Sequence, residues 1–117
     1  MNIARDWLRR SLREQLELLA APGDQALARL PDGCVKADEL ALDFDNFYQA
    51  YLENFGDELS PDARAALDAI GKSFDRMSGL VNAELWSDQA VATHPAWLQV
   101  RGQAAQALEL FAEETAG

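Results

Sequence analysis

The chain has 117 residues, 49% hydrophobic and 26% charged, with ten Lys plus Arg against twenty Asp plus Glu and a formal net charge of −10. That length suits one domain able to bury roughly two-thirds of the surface its unfolded chain exposes, and with only seven Gly and four Pro the composition excludes a disordered or low-complexity class. No apolar run approaches the roughly 18 to 20 residues of a membrane span, and a sequence pI near 4.3 disfavours direct binding to nucleic acid phosphates, which draws on Lys and Arg.

Apolar residues recur at close to the helical period and no useful segment alternates with period two, so the fold is read as all-α, a compact single domain of four or five helices over residues 1–117. The first helix is expected from Asn2 to about Ala21, with Ile3, Trp7, Leu8, Leu12, Leu16 and Leu19 toward the core and Pro22-Gly23 as its stop. Arg5, Arg9 and Arg13 form a ridge on its outer face. The pairs Asp6/Arg10, Arg10/Glu14 and Arg13/Glu17 are spaced to support the helix itself. Between Gly23 and Lys36, Asp24 to Leu30 has room for one short helical piece, and Pro31-Asp32-Gly33 is a turn signal. Gly33 opens no phosphate loop, because no Gly-rich run leads into Lys and Ser or Thr. Cys34 is the only cysteine, which excludes an internal disulfide and fits a reducing compartment. The N-terminus alternates Arg with apolar residues instead of showing an export leader, so the expected location is cytoplasmic.

The charge is uneven along the chain. Residues 1–36 carry six basic and five acidic side chains, whereas residues 37–117 carry four basic and fifteen acidic. Ala37 to Asp62 alone holds eight carboxylates, no Lys or Arg, and five aromatic rings within twelve residues. Placed on a helix, Phe44, Phe47, Tyr48, Tyr51, Leu52 and Phe55 form one stripe, which is read as core with the two tyrosine hydroxyls at its rim. Asp45, Asn46, Gln49, Glu53 and Asp57 fall on the opposite side, and Asp43 and Asn54 flank the stripe.

Metal chemistry fails on spacing. A calcium loop needs an oxygen ligand at its fifth position and Gly at its sixth, where the run starting at Asp43 puts Phe47 and Tyr48. One Cys and one His cannot complete a tetrahedral zinc site, and His94 beside Pro95 reads as a helix-entry residue instead of a catalytic base. Close carboxylates are expected by chance in so acidic a chain, so no glycosidase-type pair is inferred. No cofactor and no enzymatic activity are predicted.

The second half follows the same start-and-stop grammar. Ser60-Pro61-Asp62 opens a helix that buries Ala63, Ala66, Leu67, Ile70, Phe74 and Met77 and ends near Ser78-Gly79. "LVNAELW" is a connector anchored by Trp86, and Ser87 caps a short helix through Thr93. The last helix runs from Pro95 to about Glu114, with Trp97, Val100, Ala104, Leu108 and Phe111 inward and an Ala-rich "QAAQAL" face suited to close packing.

The order "LSPDARAALDAIGKSFDRMSG" then "ELWSDQAVATHPAWLQVRGQAAQAL" resembles small acidic helical bacterial immunity proteins, which protect a cell from a toxin domain delivered by its neighbours. The resemblance spans about residues 40–111 and rests on Trp86-Ser87, Pro95, Trp97, Arg101 and the helix pattern. It implies an inhibitor that binds a basic toxin domain such as a nuclease. The acidic stretch supplies the expected partner-binding residues: Asp38, Glu39, Asp43, Asp45, Tyr48, Tyr51, Glu53, Asp57 and Glu58. A structural or regulatory helical module, homodimeric or not, with an acidic surface serving solubility, is the alternative. A nucleic-acid mimic requires carboxylates at phosphate-like spacing.

Overall fold

Prolines, glycines and hydroxyl caps divide the chain into helices in the computed structural model, which describes residues 3–33 and 35–116, the side chains from 112 onward excepted. In order these are α1 (Ile3–Ala20), α2 (Gly23–Ala28), α3 (Lys36–Phe55), a 3-10 turn (Gly56–Glu58), α4 (Pro61–Met77), a 3-10 segment (Leu80–Trp86), α5 (Asp88–Thr93) and α6 (Pro95–Ala116). No strand occurs among the described residues, and the fold is all-α. Asn2 and Cys34 lie outside the described residues.

The boundaries follow from local chemistry. Ser60 accepts from the Ala63 amide at 3.1 Å and Ser87 from the Ala90 amide at 3.1 Å, each satisfying a donor that a helix start leaves free. His94 Nδ1 does the same for the Ala96 amide at 3.0 Å, so this histidine starts α6. Gly79 ends α4 with φ +99°, a backbone conformation that costs glycine nothing. Gly23 is needed for a different reason: a Cβ there would stand 2.5 Å from the Val91 carbonyl oxygen and 2.6 Å from the Ala92 Cα. It lets α2 approach α5.

Four long helices make the bundle. α6 packs along both α1 and α4, and α1 packs along α3. The core draws Leu8, Leu12, Leu16 and Leu19 from α1, Phe44, Tyr48 and Tyr51 from α3, Leu67, Ile70 and Phe74 from α4, and Trp97, Val100, Ala104, Ala107 and Phe111 from α6. The alanines of α6 admit its neighbours closely, as the sequence implies. Buried Gln15 donates to the Leu40 carbonyl at 3.0 Å, and Ser73 donates to Gln103 at 2.7 Å, so each of these two buried side chains has a partner.

Several expectations change, among them Ala66 and Leu108, which were expected inward and are only partly buried. Ile3 and Trp7 are 78% and 53% exposed, because the first turns of α1 project past the core; Trp7 instead lies edge-on over Phe47, ring centroids 5.9 Å apart. Phe47, Leu52 and Phe55 are only partly buried, so the core side of α3 is narrower than the stripe. Asp57 does not lie on α3, which ends at Phe55 and hands the chain to the 3-10 turn.

Candidate functional site

Beyond Lys36, α3 has carboxylates and no basic side chain, and packing uses its face unevenly. Asp38 and Glu39 stand in its first turn, where negative charge complements the positive end of the helix dipole. Asp57 and Glu58 follow its C-terminal end, where the same dipole disfavours them. Glu58 is compensated: Arg5 reaches it at 3.2 Å, and the Tyr51 hydroxyl donates to it at 3.2 Å while accepting from Arg9 Nε at 2.9 Å. Hydrogen bonding to Glu58 holds the Arg5 guanidinium above its ordinary pKa.

The tyrosines therefore belong to the framework. Both rings are buried, and the condition for presenting them to a partner, exposure, is not met. Tyr48 donates to Asp68 of α4 at 2.6 Å. Burial, then the bond to Asp68, pushes its pKa up; burial likewise raises that of Tyr51, against the pull of Arg9. Of the residues expected to meet a partner, Tyr48, Tyr51 and Glu58 are engaged within the molecule.

The other six divide by position. Asp38, Asp45, Glu53 and Asp57 are exposed, and no ion pair engages them among the described residues. Glu39 and Asp43 are half-buried. Asp38 and Asp45 line a groove of about 470 Å³ between α3 and α4. Phe44, Phe74 and Trp86 floor it, with Ala41 and Leu42 on the α3 side. Gly71, Asp75, Ser78 and Gly79 form the opposite wall.

The floor is fixed in place. Trp86 donates its indole N–H to the Met77 carbonyl at 2.8 Å, Phe74 lies 6.1 Å from Phe44 and 6.4 Å from Trp86 by ring centroid, and Trp97 meets Trp86 edge-on at 5.6 Å. Phe44 and Phe74 are themselves buried, so the accessible apolar surface is Trp86 with Ala41 and Leu42. Beside three carboxylates it suits a cationic, partly apolar ligand, whose methylene stems can cover that surface while its charged ends meet the rim. Asp75, Gly71 and Trp86 were not among the expected binding residues. The sequence signal for Gly71 was a glycine in mid-helix without a turn to serve.

Among the described residues no group of three His, Cys, Asp or Glu side chains is placed to hold a metal ion, and no helix is long and apolar enough to cross a membrane. A second hollow, framed by Asp6, Arg9, Arg10, Arg13 and Phe111, mixes both signs of charge. No family model, curated protein or solved structure matches the chain.

Proposed function

We propose that the protein is a helical inhibitor that recruits a basic partner protein through the acidic surface of α3 and the turn after it, in the manner of an immunity protein neutralising a toxin domain such as a nuclease. The observation that carries this reading is the set of exposed carboxylates without internal ion pairs, Asp38, Asp45, Glu53 and Asp57. Charges not used for folding are free to steer a partner of opposite sign, which raises the encounter rate more than the affinity.

A second reading, a helical module that pairs with its own copy, draws on Leu80 and Val81, 95% and 78% exposed beside the groove wall at Gly79. A formal charge of −10 on each copy opposes that pairing, so the basic partner is favoured.

The test immobilises the protein, presents an extract of the cells that make it, and follows association of the retained protein across a salt series. A basic species is expected whose on-rate falls steeply as the screening length shrinks from about 10 Å at 0.1 M to about 3 Å at 1 M. The variant D45N/E53Q/D57N, altered only at exposed positions, should associate more slowly with folding intact. Co-expression with the retained species should restore growth if that species is toxic. A neutral or acidic partner, or an on-rate indifferent to salt and to the triple variant, removes the reading.

A further inference from the structure

α3 is covered on one side by α1, while its seam with α4 is left open along the outside of the bundle. The open seam has the attributes of a half-built helix interface: a fixed aromatic floor, an apolar lip at Leu42, and carboxylates on both walls. No basic residue lines it. Its volume lies in the range of pockets that accept ligands, roughly 300 to 1,000 Å³.

Gly71 adds an independent observation. It lies in mid-α4, where glycine is the weakest ordinary helix former, less favourable than Ala by about 1 kcal/mol. Nothing in the fold asks for it: its φ is not in the left-handed region, and a Cβ there would meet no atom within 4 Å. Unlike Gly23, it accommodates no close neighbour. It leaves empty the space along the groove wall where a side chain would stand. Gly102 of α6 has the same freedom but is exposed and lines no hollow described above, which makes it a control.

We infer that the α3/α4 groove is the docking slot for an amphipathic cationic helix of the partner, its apolar face on Leu42, Ala41 and Trp86, above the buried Phe44 and Phe74, and its Lys or Arg residues on Asp38, Asp45 and Asp75. The inference rests on the basic-partner reading above and names where and how that partner docks. Asp38 and Asp45 are seven residues apart on α3, about 10 Å along the axis. A docked helix lying alongside presents basic residues at i and i+7 to them, with apolar residues at i+3 and i+4 between, the pattern of helix-in-groove recognition. The groove then receives on its open side the kind of cover that α1 gives α3 on the other.

The probe is a synthetic helix-forming peptide with Lys at i and i+7 and Leu at i+3 and i+4, compared with a twin carrying Glu for Lys, titrated into the labelled protein and read by amide and indole NMR shifts. The Lys peptide should move the Gly71 and Gly79 amides and the Trp86 indole N–H, and the Glu twin should not. Gly71→Leu should fill the slot and weaken binding by about tenfold or more. Gly102→Ala should raise the melting temperature without changing affinity. Should Gly71→Leu fail to fold, D38N/D45N, altered at exposed positions only, should weaken the Lys peptide by about tenfold. Equal binding of both peptides, shifts confined to other faces, or full affinity in a folded Gly71→Leu would each overturn the slot. The natural partner separates the two claims: a basic protein that binds Gly71→Leu as tightly as wild type refutes the slot and leaves the basic-partner reading standing. Failure of wild type to retain any basic protein refutes that reading, whatever the peptides do.

Discussion

The two long sides of α3 meet opposite chemistry. Toward α1 the helix finds complementary groups: the Gln15 amide on the Leu40 carbonyl, Trp7 over Phe47, and Arg5 and Arg9 around Glu58 and Tyr51. Toward α4 it finds its own charge again, Asp38 and Asp45 across from Asp75, with the seam bridged at Tyr48 and Asp68 and at the Phe44 and Phe74 rings. Complementary charge and small residues draw helices together, and like charge across an interface costs energy. One helix thus serves as framework along one edge and as a wall of an open groove along the other.

The sharpest way to break this comparison is to cut into each side by the same chemistry. Leu12→Ala, on the fully buried α1 side, is expected to lower stability by about 3 kcal/mol or more. Leu42→Ala, at the groove lip and 55% exposed, should cost under about 0.5 kcal/mol. Denaturant unfolding of the two variants measures both, and comparable losses would mean that the open side is packed as firmly as the closed one.

Next in size is Gly23→Ala, which pushes a methyl group into the α5 backbone and should cost about 1 to 3 kcal/mol. A thermal melt checks it. Neutrality would show that α2 yields easily and that the tight approach there is not a constraint.

The smallest effect belongs to the polar bridge across the open seam. Tyr48→Phe removes the donor to Asp68 and should cost about 1 kcal/mol near neutral pH. The pH dependence has a definite sign, because the folded state raises the pKa values of Tyr48 and Tyr51. Their contribution is fully present below the unfolded tyrosine value of about 10 and is lost as pH rises through the folded values. Phenolate absorbance should therefore appear above the free-tyrosine range and together with loss of helical signal. Titration of both rings at the free value, with the fold intact, would contradict their burial.

Much of this fold was legible in the residues. Ser60-Pro61, Ser87, His94-Pro95 and Gly79 state where helices begin and stop, because each solves a local backbone problem within a few positions. The ring stripe of α3 correctly marked Phe44, Tyr48 and Tyr51 as core. It overreached at Phe47, Leu52 and Phe55, since periodicity shows a helix's apolar face but not how wide a neighbour covers it. The same limit explains Ile3 and Trp7, which keep the period after the core has ended.

The site was less legible than the fold. Asp38 and Asp45 were named with seven other residues because composition alone picks out the acidic stretch. What separates them is the gap between two helices, and Asp75, Gly71 and Trp86 come to it from 26 or more positions further along the chain than Asp45. The tyrosine hydroxyls, expected at a rim, found partners 20 and 42 positions away, a distance no local pattern reports.

The segment that carries Leu80 and Val81 has a last consequence, for proteolysis. Two bare aliphatic side chains on a surface connector are the sequence that thermolysin-type proteases prefer, yet the backbone around them is pinned. Asn82 donates to the Arg76 and Ser78 carbonyls at 3.1 Å each, Trp86 holds the Met77 carbonyl, and Trp97 donates to the Leu85 carbonyl at 2.7 Å. Cleavage needs an extended strand in the protease cleft, and freeing one here means extracting two indoles from the aromatic cluster. The bond before Leu80 or Val81 should therefore be cut at a rate set by opening of the whole bundle and not of the loop alone, so that an exposed scissile site reports on global stability.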